Sequence, residues 1–574
     1  MDDMHNGFIL FFIVFFTPLV FILTYLPVTV VLTDFSVRWF RAPAERIILA
    51  GVGYGLVGYI AFGAYFLSSQ IGRVVTLTVA LALLVTSWRS GWWKGGAARR
   101  DPLVSVLLLM VTFTIALAAT GLAYGGFVDV LAEAAVRFTH HLPIDNELPR
   151  MFGDGLYGNH VPRPLAGDWL SSDRPPLQTG LELEVALLAP KLGWRHNLIY
   201  QLASMGGQSL FLAGLAAYLS AWRLKGGAIA VALVACGFSA IAVIHGYFVW
   251  PKLMAAGFIL MTAALLLSPK YHEIRESAPH GGLVGATAAL AMLSHGGAAF
   301  LLIALTLTFL ALGRLPHWRF ILAGLACFVA LMLPWSLYQA LIDPPGNRLL
   351  KFQLADVVPV DPRGTWTTLR DAYGALSWQE IIQTKWSNFL QIFSAGLEMP
   401  RWLWSAGAAL LSGDTARYQA LSESLRGQLF FLTSAPISAF YLGLPAVLLV
   451  VRREAAAARF VLVTGAAFLM TAVVWSLAMF KAGSTITHQG TLAMPLMAIA
   501  AGAVGLYALS PWLAIAVTAV EVLISVLLYG VGLPGDFVQV IQHPTLNPGL
   551  ALIAILGAAG VILGCRRVGM QLGG

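Results

Sequence analysis

Long apolar runs dominate this chain, and they leave few folds open to it. Ile9 to Leu32, Ile47 to Leu67 and Pro102 to Leu122 are almost uninterrupted, and each is long enough to cross a hydrocarbon layer of about 30 Å. Within lipid, every backbone N–H and C=O must find its partner inside the segment, so these runs are expected as helices. The same reading along the chain gives spans at roughly 8–32, 47–68, 73–88, 103–127, 197–221, 227–245, 252–268, 281–295, 297–313, 320–339, 433–451, 458–480, 491–508, 512–531 and 548–564. The first run has no basic region ahead of it and no small-residue cleavage site, which marks a retained span rather than a signal peptide. The expectation is an all-α polytopic membrane protein of about 13–15 transmembrane helices. No fixed-period repeat is visible.

Composition excludes the soluble alternatives. The chain is 58% hydrophobic and 11% charged, against about 25% charged in ordinary soluble domains. A net charge of +8 raises a nucleic-acid reading, but the basic residues are scattered in short clusters between spans. Examples are Arg38, Arg41 and Arg46; Lys94, Arg99 and Arg100; Arg223 and Lys225; Arg452 and Arg453. That is the distribution of cytoplasmic loops, so no nucleic-acid partner is expected. With fifteen crossings the N-terminus falls outside and the C-terminus in the cytoplasm. Two long polar segments, 128–196 and 340–432, then lie on the non-cytoplasmic face. Cys236, Cys327 and Cys565 show neither metal spacing nor a disulfide framework.

Most chemistry-capable residues sit in these segments rather than at the bilayer midplane, which favours a surface-working enzyme over a transporter. The stretch from His140 to Leu183 holds Asp145, Glu147, Asp154, Asp168 and Asp173, with Arg150, Arg163 and Arg174 among them. Carboxylates interleaved with arginines suit a reaction in which a hydroxyl loses a proton while a phosphate leaves. The carboxylate serves as base, and a guanidinium or a carboxylate-held metal takes up the phosphate charge. Asp145 and Glu147 lie between Pro143 and Pro149, so an irregular stretch is expected there instead of a regular helix.

Asp145-Asn146-Glu147, Gly167-Asp168-Trp169 and Asp173-Arg174-Pro175-Pro176-Leu177 resemble the first external loop of the GT-C glycosyltransferases. The resemblance is to the dolichyl-phosphate-mannose–protein mannosyltransferase and lipid A aminoarabinose transferase group. It extends to Pro334-Trp335 and to Ala493-Met494-Pro495-Leu496. It implies a GT-C-like bundle and an inverting transfer of one sugar from a polyprenyl-phosphate carrier to an acceptor hydroxyl, with Asp145 as base. It also implies a bacterial inner-membrane protein whose site faces outward. Asp173 would lie near the site as the candidate metal ligand, a divalent cation being the only cofactor in view. Asn146 stands where the family has a second acid, and Arg174 where it has lysine, which exchanges a point charge for a planar fork. Residues 1–100 fall outside the resemblance. The core then covers 101–339, the second external segment with its amphipathic helices 340–432, and the C-terminal spans 433–574.

Plainer roles compete at every position. Asp145 could be a turn or cap residue, Asp173 a helix start ahead of its prolines, and Asp154 and Asp168 solvated acids. His245, His295 and His488 stand at span ends, where ionisable side chains are functional candidates. Catalytic candidates are Asp145 and Glu147; substrate-binding candidates are Asp173, Arg174, Arg150, Arg163, Lys481 and His488. Arg348, Lys351, Arg363 and Arg370 could hold phosphates or line a solvated loop. Trp366, Trp378, Trp386, Trp402 and Trp404 suit headgroup anchoring. The competing functions are a transporter or flippase of lipid-linked sugars, and a non-catalytic subunit.

Overall fold

The computed structural model describes residues 9–36, 39–90, 101–125, 129–186, 193–392, 398–429, 450, 454–482, 492–541 and 544–573. These residues are mainly α-helical, with short 3-10 and π segments, connecting loops and one two-residue strand pair, Tyr124–Gly125 with Thr545–Leu546. Helix starts follow local chemistry. Proline occupies the first turn at Pro43–Leu67, Pro102–Gly121, Pro511–Ser525 and Pro548–Leu572, where its missing N–H costs nothing. Asp101, Ser510 and Asn547 cap three of these ends through side-chain oxygens.

Among the described residues, nine helices are long and apolar enough to cross a membrane. They become ten if Gly226–Gly237 and Ala240–Tyr247, bent by 54° at their break, form one span. The chain is therefore an integral membrane protein. Among the described residues the count stays below the expected 13–15, partly because several interior helices are short: Lys252–Leu267, Ala278–Ser294, Ala298–Ala311 and Ala493–Leu509 have 14 to 17 residues, below the ~20 that a full crossing takes. The expected span at 433–451 lies outside the described residues, except Val450. Peripheral helices keep large side chains such as Leu81, Leu322, Leu325 and Ile555 outward, whereas His196–Ala221 is enclosed by protein.

Side chains sort to two ends of the bundle. At one end the basic loops meet acidic partners: Arg46 with Asp101 at 2.6 Å, Arg223 with Glu273 at 3.0 Å, and Lys225 with Glu454 at 3.2 Å. At the other end the two polar segments touch, through Arg348 and Asp173 at 3.0 Å. Pro43–Leu67, from the region that the resemblance leaves out, packs into this core. Gly58 of Pro43–Leu67 crosses Gly180 of Leu177–Val185 so closely that a Cβ at 180 would stand 2.0 Å from the Gly58 carbonyl oxygen. Gly180→Ala must push the two helices apart and is expected to cost about 1–3 kcal/mol, the usual cost of overpacking. A thermal-unfolding comparison with wild type reads it out, and an unchanged midpoint would disprove the close crossing.

A buried polar knot joins Val130–Val136 to the bundle. Arg137, fully buried, donates to the carbonyls of Gly121, Thr120, Tyr529 and Gly532. Tyr247 donates its hydroxyl to Glu133, which lies 4.0 Å from Arg137. Burial pushes the Glu133 carboxyl up to about 8, against the opposing pull of Tyr247 and Arg137. The folded state thus holds a proton that the unfolded chain releases, and the stability this gives is present in acid and lost as pH rises through about 8. The expected slope is about 1.4 kcal/mol per pH unit between the two pKa values. Glu133→Gln should flatten that part of the profile, so the melting temperatures of variant and wild type, measured between pH 5 and 9, should diverge as pH rises; parallel curves would refute the assignment.

Candidate functional site

The two prolines around Asp145 act as the sequence suggests. Ile144–Asn146 is a single 3-10 turn and Leu148–Tyr157 follows as a helix with Pro149 in its first turn. The tight turn leaves Asp145 and Asn146 both buried. Asn146 is a clamp: its amide donates to Leu131 O at 3.0 Å, and its carbonyl accepts the Tyr200 hydroxyl at 2.6 Å. A carboxylate there could not donate to Leu131 O, so the amide of Asn146 is what the turn requires.

The second motif folds back onto the first. Ser171–Asp173 is another 3-10 turn, and Leu177–Val185 begins directly after the double proline. Asp173 does not cap Leu177–Val185, whose N-cap is Pro176; its Oδ2 instead closes the start of its own 3-10 turn, accepting the Leu170 N–H at 3.0 Å, and accepts the Arg348 guanidinium at 3.0 Å. Burial raises the Asp173 carboxyl above its ordinary value, opposed by those two bonds. Arg174, preceding proline, is extended as that position favours, and its guanidinium hydrogen-bonds the Asp145 carboxylate. Both side chains are nearly enclosed, at 6% and 7% exposure, although they lie 29 positions apart in sequence.

Trp169 serves as a platform for both arginines. Arg174 lies 4.3 Å and Arg348 4.8 Å from its ring centroid. Its delivery depends on Gly167, whose φ of +55° suits a residue without Cβ. Asp168 adds an exposed carboxylate to Arg348. The π-turn Tyr338–Ile342, following Pro334 within Trp318–Leu337, brings Asp343 to the same region. Asp343 accepts from Ser171 and, at 3.0 Å, from the Ser172 N–H, with Arg163 at 3.3 Å.

Behind the Asp145–Arg174 pair lies a turn that the sequence reading passed over. Lys252 is buried with its ammonium 3.2 Å from the Trp250 ring centroid, and the charges of Asp145 and Arg174 both act on it. His295 feels Lys252, Arg174 and His245, and the rings of His245 and His295 stand 6.2 and 6.4 Å from Trp250. Gln178, just after Leu177, holds this turn by donating to Val249 O at 2.8 Å. Val249 has φ of +51°, a strained conformation for a β-branched residue. One carboxylate thus faces several cationic or protonatable groups in a closed, indole-lined place. A lone cation beside Trp250 and Pro251, at the head of an apolar run, was the available signal.

The other expected residues are distributed differently. Glu147 pairs with Arg150 at 3.4 Å, and Arg150 reaches Asp154 at 2.8 Å, forming a second network. Lys481 is exposed and pairs with Asp356 at 3.4 Å; His488 lies outside the described residues. Lys351 donates to backbone carbonyls of Asp361 and Arg363, Arg363 forks onto Asp361, and Arg370 meets Asp371. Of these four cations in the second segment, Arg348 joins the first-loop motifs. Trp366, Trp378, Trp386 and Trp404 are exposed as anchors would be, and Trp402 is buried.

Comparison with family models, with curated proteins and with solved structures finds no match in any of the three.

Proposed function

We propose that this chain is a membrane glycosyltransferase of GT-C type that moves a sugar from a polyprenyl-phosphate carrier to an acceptor hydroxyl, with inversion. The observation that carries the reading is the buried contact between Asp145 and Arg174, residues of two separate motifs. A carrier phosphate entering beside Lys252 would compete with Asp145 for the Arg174 guanidinium. As Arg174 turns to the phosphate, its charge-assisted bonds transfer to the leaving group, and the Asp145 carboxylate is released. The acceptor O–H proton then passes to Asp145, the acceptor oxygen bonds the anomeric carbon, and the carbon–oxygen bond to phosphate breaks. Polyprenyl phosphate departs with the electron pair. The basic loops at one end of the bundle and the polar segments at the other fit a site on the non-cytoplasmic face of a plasma membrane under the positive-inside rule. The apolar cavity of about 330 Å³ lined by Phe113, Leu117, Phe238, Val526 and Ile555 offers room for part of a prenyl chain.

The test is transfer of radiolabelled sugar from polyprenyl-phosphate donors by purified protein in liposomes. Arg174→Lys is expected to keep more activity than Arg174→Ala, because charge survives while the fork is lost; equal losses would count against phosphate contact. A second reading, a flippase of lipid-linked sugars, draws on the 54° break between Gly226–Gly237 and Ala240–Tyr247, a feature of transport sites. Carrier crossing the bilayer without sugar transfer in the same liposomes would select it.

A further inference from the structure

Away from the Asp145–Arg174 pair, three side chains of metal-ligand type converge from three separate helices. Asp154 comes from Leu148–Tyr157, Glu182 from Leu177–Val185 and His196 from Gly193–Gln208. One ligand atom from each lies within 4.8 Å of the others. His196 Nε2 stands 2.9 Å from Asp154 Oδ1 and 3.7 Å from Glu182 Oε1. Ligands around a tetrahedral zinc ion at 2.0–2.2 Å bond lengths are separated by about 3.4 Å, and these two distances fall on either side of that value.

The surroundings point the same way. A cavity of about 10 Å³ opens among Gly153, Asp154, Tyr157, Glu182, Leu183 and His196, the space of one water-sized particle. Gly153 makes room for the carboxylate, since a Cβ there would stand 2.5 Å from Glu182 Oε2. Arg150 takes the other oxygen of Asp154, Oδ2, at 2.8 Å, which orients Oδ1 inward as outer partners of ligating carboxylates do. Glu182 and His196 are buried while Asp154 is partly open, leaving a side from which a solvent molecule could complete a fourth position.

We propose that Asp154, Glu182 and His196 form a binding site for one zinc-class divalent cation. A borderline ion suits the set of one imidazole and two carboxylates better than magnesium, which keeps its waters and asks for octahedral oxygen. The cation ties three helices of the first polar segment together, and through Arg150 it adjoins Glu147. The competing arrangement is His196 hydrogen-bonded between the two acids, which needs no metal. The site stands whether or not the chain transfers sugar, and its test does not use activity.

The full-length protein in detergent is stripped with a chelator and titrated with zinc against a competing indicator. One equivalent should bind. His196→Gln and Asp154→Asn should each weaken binding by at least about 100-fold, since losing even an outer partner costs about 10–100-fold. Zinc should also raise the melting temperature of the wild type and leave that of His196→Gln unmoved. Cobalt, loaded in place of zinc, should give the visible bands of a four-coordinate site. If both variants fail to fold, the wild-type cobalt spectrum and stoichiometry decide. No saturable zinc at micromolar free metal, or equal zinc on wild type and His196→Gln, assigns the cluster to a metal-free hydrogen-bonded contact and overturns the proposal.

Discussion

Asp145→Asn is expected to lower the proposed sugar transfer by about 10²- to 10⁴-fold, the usual worth of a general base, with carrier binding retained. The geometry sharpens this expectation. In the structure the carboxylate spends its charge on Arg174, so a neutral amide frees that arginine for the carrier phosphate. The loss should therefore appear in kcat, and KM for the carrier should not rise, as when an interaction made only in the transition state is removed. Asn keeps the size and one acceptor oxygen, so the enclosed turn at 144–146 can still close. Steady-state kinetics in liposomes, with melting temperature as the control for folding, provide the measurement. Near-wild-type turnover would remove Asp145 from the base role; a raised KM with unchanged kcat would make it a binding residue instead.

Arg348→Ala should be the most destabilising single change considered. The guanidinium is 4% exposed and the Asp173 side chain 1%, and Arg348 also donates to the carbonyls of Val358 and Asp168. Truncation leaves a buried carboxylate and two carbonyls without this partner, and removing one member of a buried pair costs about 3–5 kcal/mol. The sign of the pH dependence is fixed. Asp173 is already pushed above its ordinary value by burial, and losing Arg348 must raise it further. The variant therefore recovers stability as pH falls and Asp173 becomes protonated, narrowing its deficit against wild type. Unfolding midpoints in a denaturing-detergent series at pH 4.5 and 7.5 measure both effects. A deficit that is small, or that widens in acid, would contradict the pairing.

How far the sequence led can be judged on these same residues. Asp145, Asp173 and Arg174 lie within one polar stretch, and proline signals at 143, 149, 175 and 176 mark where the chain must turn. Their meeting was legible because it is local. Arg348 to Asp173 spans 175 positions and Gln178 to Val249 spans 71; neither leaves a trace in spacing. Lys252 was overlooked because a single cation hardly alters an apolar run. Asp154 looked like a solvated acid, since its neighbours His196 and Glu182 come from later helices. Hydropathy found the apolar runs but not their lengths as helices: Ala298–Ala311 and Lys252–Leu267 read as full crossings, and the structure ends them after 14 and 16 residues.

The small strand pair closes only after residues 545–546 have been made. Tyr124 and Gly125 pair with Leu546 and Thr545, and the Asn547 N–H bonds the Ala123 carbonyl. Pro102–Gly121 lies along Pro548–Leu572, which is made more than 400 residues later. At a synthesis rate of about 5–20 residues per second, roughly 420 residues take about 20–80 s to follow the first strand out of the ribosome. For that interval one flank of Pro102–Gly121 has no protein neighbour from the C-terminal helix. Lipid or an insertion chaperone must cover it, so a stop codon placed just before Thr545 should send the nascent product to proteolysis despite leaving every residue of the candidate site in place.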